Sequence, residues 1–116
     1  MNIFKSKPNY MPREIAAGYI EAFANGTLRD PYSWDDFETV PHDNSEVDLA
    51  LQLCWWAAKQ NPARHDKEYM APGGKPVFTK IAALLRAGEL SPFANSNRKE
   101  ILAGTLPVQL RTLLER

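Results

Sequence analysis

Residues 46–60 are apolar around so much of a helical circumference that the rest of the chain has to enclose them. Val47, Leu51, Cys54 and Ala58 recur at helical spacing and mark one face, while Ala50, Leu53 and Trp56 widen it. A surface helix keeps a polar side, so a helix of this kind is expected at the centre of its domain. Ser45-Glu46-Val47-Asp48 has the spacing of a Ser cap with a carboxylate three residues later, and Asn61-Pro62 ends the run.

The covering elements are also helical by pattern. Pro12 suits a first helical position, where its missing N–H costs nothing. Ile15, Tyr19 and Phe23 then repeat every four residues, with Ala16 and Ile20 alongside, as one inward stripe over 12–25. Asn25-Gly26 closes that helix. Ser33-Trp34-Asp35-Asp36 repeats the cap spacing and predicts a short helix over 34–38. Pro76 opens another, with Phe78, Ile81, Ala82 and Leu85 inward and Gly88 as its end. Two short helices are expected over 97–103 and 106–115, the first followed by Gly104 and the second carrying Leu106, Leu110, Leu113 and Leu114 on one side. Thr27 to Pro31, Pro41 to Asn44 and Pro62 to Pro76 read as turns and loops. No segment alternates with the period of a strand, and no repeat or low-complexity tract occurs. The expected fold is all-α, a single compact domain of five or six helices over 12–116, behind an N-terminal arm over 1–11.

Composition narrows the function classes. With 116 residues, 44% apolar and 24% charged, the chain fits one soluble globular domain. The longest wholly apolar run, Leu53 to Ala58, is far short of the ~20 residues that span a bilayer, so no membrane role is expected. No signal-peptide core follows Met1, and the single cysteine cannot form an internal disulfide, so a cytoplasmic protein is expected.

Catalytic and cofactor motifs fail on inspection. His42-Asp43 and His65-Asp66 suggest a metal phosphohydrolase, but that pattern needs a further downstream Asp and none follows Asp66. A small hydrolase using His42 or His65 with nearby carboxylates stays as the alternative reading, beside loop polarity and turn hydrogen bonding. Gly73-Gly74-Lys75-Pro76 lacks both the upstream glycine and the hydroxyl of a phosphate loop and reads as a flexible turn into a helix. Cys54 falls on the apolar helix, where a thiol is inert. One Cys and two separated His make no four-ligand zinc site, so no metal and no cofactor are expected. The C-terminal bases are scattered and lack the dense stripe that nucleic acid needs, although a helical regulator using them is a third possibility.

Charge is the remaining signal. Residues 30–58 carry seven acids and no Lys or Arg: Asp30, Asp35, Asp36, Glu38, Asp43, Glu46 and Asp48. The flanking segments are net basic, so a formal total of zero conceals an acidic middle. Two readings compete for it. In one, Trp34 and Phe37 anchor a short helix to the core, and Asp35, Asp36, Glu46 and Asp48 favour helix N-termini, at about 0.3–1 kcal/mol each. In the other, Asp30, Tyr32, Asp35, Asp36, Glu38 and Asp43 form an acidic aromatic surface that meets a basic partner.

The string Asp30-Pro31-Tyr32-Ser33-Trp34-Asp35-Asp36-Phe37, followed by a long helix containing a Cys, resembles a set of small bacterial helical proteins over about residues 13–86. It is also similar in character to immunity proteins that neutralise interbacterial toxins. The resemblance implies a non-enzymatic binding protein whose partner is another protein, a basic toxin domain.

Overall fold

A computed structural model describes residues 12–27, 34, 37–38, 45–94 and 98–116. Helix α1 spans Arg13–Asn25, α2 Ser45–Gln60, α3 Gly74–Arg86, α4 Arg98–Leu102 and α5 Val108–Glu115, with a 3-10 turn over Ser91–Phe93 between α3 and α4. Trp34, Phe37 and Glu38 are helical too, where the cap spacing predicts a short helix. No strand occurs among the described residues, and the expected all-α single domain is the fold that forms. The expected arm over 1–11 lies outside the described residues.

Two helices share the centre. The apolar run of α2 buries Val47, Leu49, Ala50, Leu51, Leu53, Cys54 and Ala57. It packs on α3 and also meets α4 and the 3-10 turn. Helix α3 packs most extensively on α1 and then on α2, and it touches α5. Its inward residues are Phe78, Ile81, Ala82, Leu84 and Leu85, and full burial of each large one is worth about 1.5–3 kcal/mol. Helices α1 and α2 touch each other only slightly, and α3 packs on both.

Helix α1 corrects the expected stripe. Its buried residues are Ala16, Ala17, Ile20 and Ala24, and Ile15 is 52% exposed. Three of these four are alanines, whose small side chains let α1 approach α3 closely. Tyr19 and Phe23 lie on the flank of that face, where Tyr19 stacks on Phe37 and Phe23 on Trp34. Four-residue spacing identified a real row in Tyr19 and Phe23, which meets Phe37 and Trp34 and, through Phe23, also Phe78 of α3, while Ile15 falls outside it.

The start of α3 is a second correction. The helix begins at Gly74, two residues before Pro76, because a turn leads straight into it. The Gly74 N–H donates to the Ala71 carbonyl at 3.0 Å and that of Lys75 to the Pro72 carbonyl at 3.1 Å. Proline is tolerated here because first-turn N–H groups have no intrahelical acceptor. Nor is the Gly73-Gly74 pair merely a flexible turn. A Cβ on Gly74 would collide with the Met70 thioether, and one on Gly73 would come within 2.7 Å of Asn61 Oδ1. Asn61 itself ends α2 by donating from Nδ2 to the Ala57 carbonyl at 2.9 Å. Its own carbonyl accepts the Ala71 N–H at 2.8 Å, which closes the loop between α2 and α3.

Helix α1 ends as expected. Gly26 has φ of 71°, its N–H donates to the Phe23 carbonyl at 3.2 Å, and the Thr27 N–H reaches back to the Ala22 carbonyl at 2.8 Å. That double closure satisfies carbonyls the helix leaves open and needs a left-handed residue. Gly88 and Gly104 finish α3 and α4 with the same pair of bonds.

Two glycines of α1 test the distinction between space and backbone conformation, because a Cβ on Gly18 or on Gly26 would meet nothing within 4 Å. Gly18→Ala in the helix interior is expected to raise unfolding stability by about 1 kcal/mol. Gly26→Ala is expected to lower it by about 1 kcal/mol through left-handed strain. Urea melts of the two variants with equal slopes check both signs.

Candidate functional site

The acidic segment is held by its aromatic residues. Trp34 is 3% exposed and stacks on Phe23 of α1 with ring centroids 4.2 Å apart and on Phe78 of α3 at 5.8 Å. Tyr69, from the loop before α3, meets Trp34 edge-on at 6.1 Å and Phe23 at 4.9 Å. Phe37 is fully buried and packs against Trp34 at 5.1 Å. Edge-to-face and offset pairs of this kind each add about 0.5–1.5 kcal/mol beyond area burial. The core-anchoring reading of Trp34 and Phe37 is thus the arrangement adopted.

Glu38 fastens the other side. Its Oε2 accepts the Trp55 indole N–H at 2.6 Å and the Tyr69 hydroxyl at 3.2 Å. One carboxylate oxygen therefore joins the short segment to α2 and to the loop before α3. Burial pushes the Tyr69 phenol well above its ordinary range, and the Glu38 charge adds to this, so the hydroxyl keeps its proton and remains a donor. Both bonds fall on Oε2, leaving Oε1 without a donor among the described residues. Of the proposed contact residues, Glu38 is described, and Asp30, Tyr32, Asp35, Asp36 and Asp43 lie outside the described residues.

A second acid of the segment is tied down further along. Glu46, in the first turn of α2, is 8% exposed, and its Oε1 accepts from Arg13 Nη2 at 2.6 Å. The Arg13 guanidinium lies beneath Gly88, where a Cβ would come within 3.3 Å of Nη1. This pair joins the starts of α1 and α2 to the end of α3. Sequence spacing identified Glu46 as a cap acid but carried no signal for Arg13, 33 residues away.

Basic groups of the C-terminal half take acids elsewhere. Arg86 bridges α3 to α1, donating from Nη1 to Glu21 at 2.6 Å and from Nε to Glu14 at 3.2 Å. Arg64 grips Glu68 through Nε and Nη2, and the Arg64 backbone N–H adds a bond of 2.9 Å. Arg116 lies 3.5 Å from Glu89. Lys59 donates to the Leu102 carbonyl at 2.8 Å and Lys80 to the Arg116 carbonyl at 3.0 Å.

The catalytic candidates gain little. His65 is exposed, and its Nδ1 accepts the Lys67 N–H at 3.2 Å, the turn hydrogen bond expected of a loop histidine. His42 lies outside the described residues. Cys54 is fully buried, and burial followed by the nearby Glu38 charge raises its thiol well above the ordinary value, which suppresses the nucleophilic thiolate. No cluster of three metal-ligating side chains occurs among the described residues, and no helix among them is long and apolar enough to cross a membrane.

Two concavities were not legible in the sequence. An apolar groove of about 480 Å³ runs between the 3-10 turn and α5, lined by Pro92, Phe93, Val108 and Leu113, with Glu89 and Arg116 at its rim. A smaller cleft of about 280 Å³ opens beside Phe23 and Tyr69. Both are assembled from residues distant in the chain, so no local pattern announces them. Comparisons with protein-family models, curated proteins and solved structures found no match to this chain.

Two measurements check this geometry. Trp55→Phe removes a donor to a charged acceptor and is expected to cost about 2 kcal/mol in chemical unfolding, with Tyr69→Phe costing about 1 kcal/mol. The Arg64 bonds hold the Glu68 carboxyl down to about 2. Its titration followed by carbon NMR should have its midpoint there, and that midpoint should rise toward the ordinary carboxylate range in Arg64→Gln, which keeps the backbone N–H bond. Because the folded value is depressed, any stabilisation from this surface pair is complete above the ordinary carboxylate range and fades as pH falls toward about 2.

Proposed function

We propose that this protein is a non-catalytic binding protein that docks on a basic surface of another protein, a toxin domain, and blocks it. The docking surface is the acidic aromatic segment, with Asp30, Tyr32, Asp35, Asp36, Glu38 and Asp43 as contacts. One observation carries the reading. A stretch free of Lys and Arg is anchored through Trp34 and Phe37, while Arg64, Arg86 and Arg116 are engaged with acids outside it.

Anchoring matters energetically, because association must overcome the entropy of ordering the interface. A segment pinned at Trp34, Phe37 and Glu38 has part of that ordering done in the free protein. Its carboxylates then supply complementarity and electrostatic steering toward a basic partner, while Tyr32 supplies contact area. Neutralisation inside the cell places the protein in the cytoplasm under this reading. No cofactor or metal is required.

Co-expression with a toxin encoded by a neighbouring gene is expected to restore growth. The double charge reversal Asp35→Lys, Asp36→Lys should abolish rescue and weaken purified binding by at least about tenfold, chiefly in the association rate. An unchanged melting temperature establishes that the variant is folded. Full rescue by the folded, charge-reversed variant would remove this surface from the proposal.

A further inference from the structure

The apolar groove between the 3-10 turn and α5 is open on its outer side. Val108, in the first turn of α5, lines the groove and is 76% exposed, and Phe93 and Leu113 are only partly buried against the core. At about 480 Å³ the space takes more than one large side chain. The rim carries Glu89, whose ion pair among the described residues is a single contact from Arg116 Nη2 at 3.5 Å.

The start of α1 lies beside that rim. The Arg13 guanidinium sits where a Cβ on Gly88 would come within 3.3 Å of Nη1, and Gly88 immediately precedes Glu89. Pro12 enters the helix with extended backbone, φ -65° and ψ 155°. Residues 1–11, which lie outside the described residues, therefore join the fold within one arginine side chain of the groove wall. They contain the apolar pair Ile3-Phe4, followed by Lys5 and Lys7, and no acid. Phe4 stands 8 positions before Pro12, a reach of about 26 Å when extended. Helix α5, which forms one wall, has 8 residues and is only about 12 Å long.

We propose that Ile3 and Phe4 cover this groove, against Phe93, Val108 and Leu113, with Lys5 pairing with Glu89 at the rim. Tethering decides in favour of this occupant. A segment joined through a short length of chain meets its site at an effective concentration of about 1 mM, which a second copy or a separate peptide at ordinary protein concentrations does not reach. Burial of an isoleucine and a phenylalanine supplies the apolar driving force. Covering Val108 also removes from water one of the three large apolar side chains exposed among the described residues. None of these residues is a proposed partner contact, so this inference stands apart from the toxin-binding reading and fails separately.

A nitroxide on the full chain tests the placement by NMR. Cys54 is fully buried and resists labelling, which leaves Ser6→Cys as the reactive thiol. The Val108 and Leu113 methyl signals are expected to broaden in the labelled chain and to recover when the nitroxide is reduced. The Met70 methyl, which packs on Gly74 at the opposite end of α3, should stay sharp. Adding Phe4→Ser should remove most of the broadening and, in unlabelled protein, shift the same Val108 and Leu113 signals, whereas adding Phe4→Leu should preserve the broadening. Unchanged Ile20 and Leu85 methyl signals verify that each variant is folded. Sharp Val108 and Leu113 signals in the labelled chain, or broadening that survives Phe4→Ser, would overturn the inference. So would broadening transferred to an unlabelled chain mixed with the labelled one, which marks a second copy as the occupant.

Discussion

The stack of Phe23, Trp34 and Phe78 is the contact on which the other packing depends. Helix α3 reaches α1 and α2 directly, whereas α1 and α2 scarcely touch, and the aromatic residues add a second connection. Trp34 lies face-on to rings from α1 and α3, with Tyr69 and Phe37 meeting its edges, and the link on to α2 runs through Glu38 to Trp55. Once Trp34 and Phe37 are seated, Glu38 is held where the Trp55 indole and the Tyr69 hydroxyl converge on one oxygen. Hydrophobic anchoring fixes the position, and a charge-assisted hydrogen bond fixes the orientation.

Under the proposed reading the acidic stretch has two tasks in a single piece of chain. The aromatic residues of Trp34-Asp35-Asp36-Phe37 close the core. Its carboxylates belong to a region without a single base, although Arg13 reaches Glu46 from α1, while Arg64, Arg86 and Arg116 pair with acids outside it. Arg86 between Glu14 and Glu21 is the clearest instance, since it neutralises α1 and fastens it to α3 together. The neutral total of the chain is thus the sum of locally paired helices and a segment rich in charge of one sign.

Much of the architecture could be read before any coordinates. Gly26, Gly88 and Gly104 were recognisable as helix stops, and each carries a positive φ with the same back-bonded closure. Trp34 and Phe37 were recognisable as a core pair from their three-residue spacing. Ile15 was misjudged because periodicity locates a row of side chains without saying which neighbour it faces. Pro76 fits a helix start because proline favours first turns, yet the preceding Ala71–Gly74 turn sets the true start. In the candidate site, acid content was legible, whereas the donors to Glu38 and the clefts were not.

Local rules account for what the amino-acid order determined alone. Helical period, caps and left-handed glycines act over a few residues, so the all-α class, the glycine-closed helix C-termini and the buried character of α2 were present in the string. Tertiary structure decided the rest, because those interactions join residues far apart. Trp55 and Tyr69 lie 17 and 31 positions from Glu38, Arg13 lies 33 from Glu46, and Arg86 lies 65 from Glu21. No periodicity encodes such pairs. They exist because close packing of the helices leaves each buried or half-buried polar group only the partners that the fold brings to it.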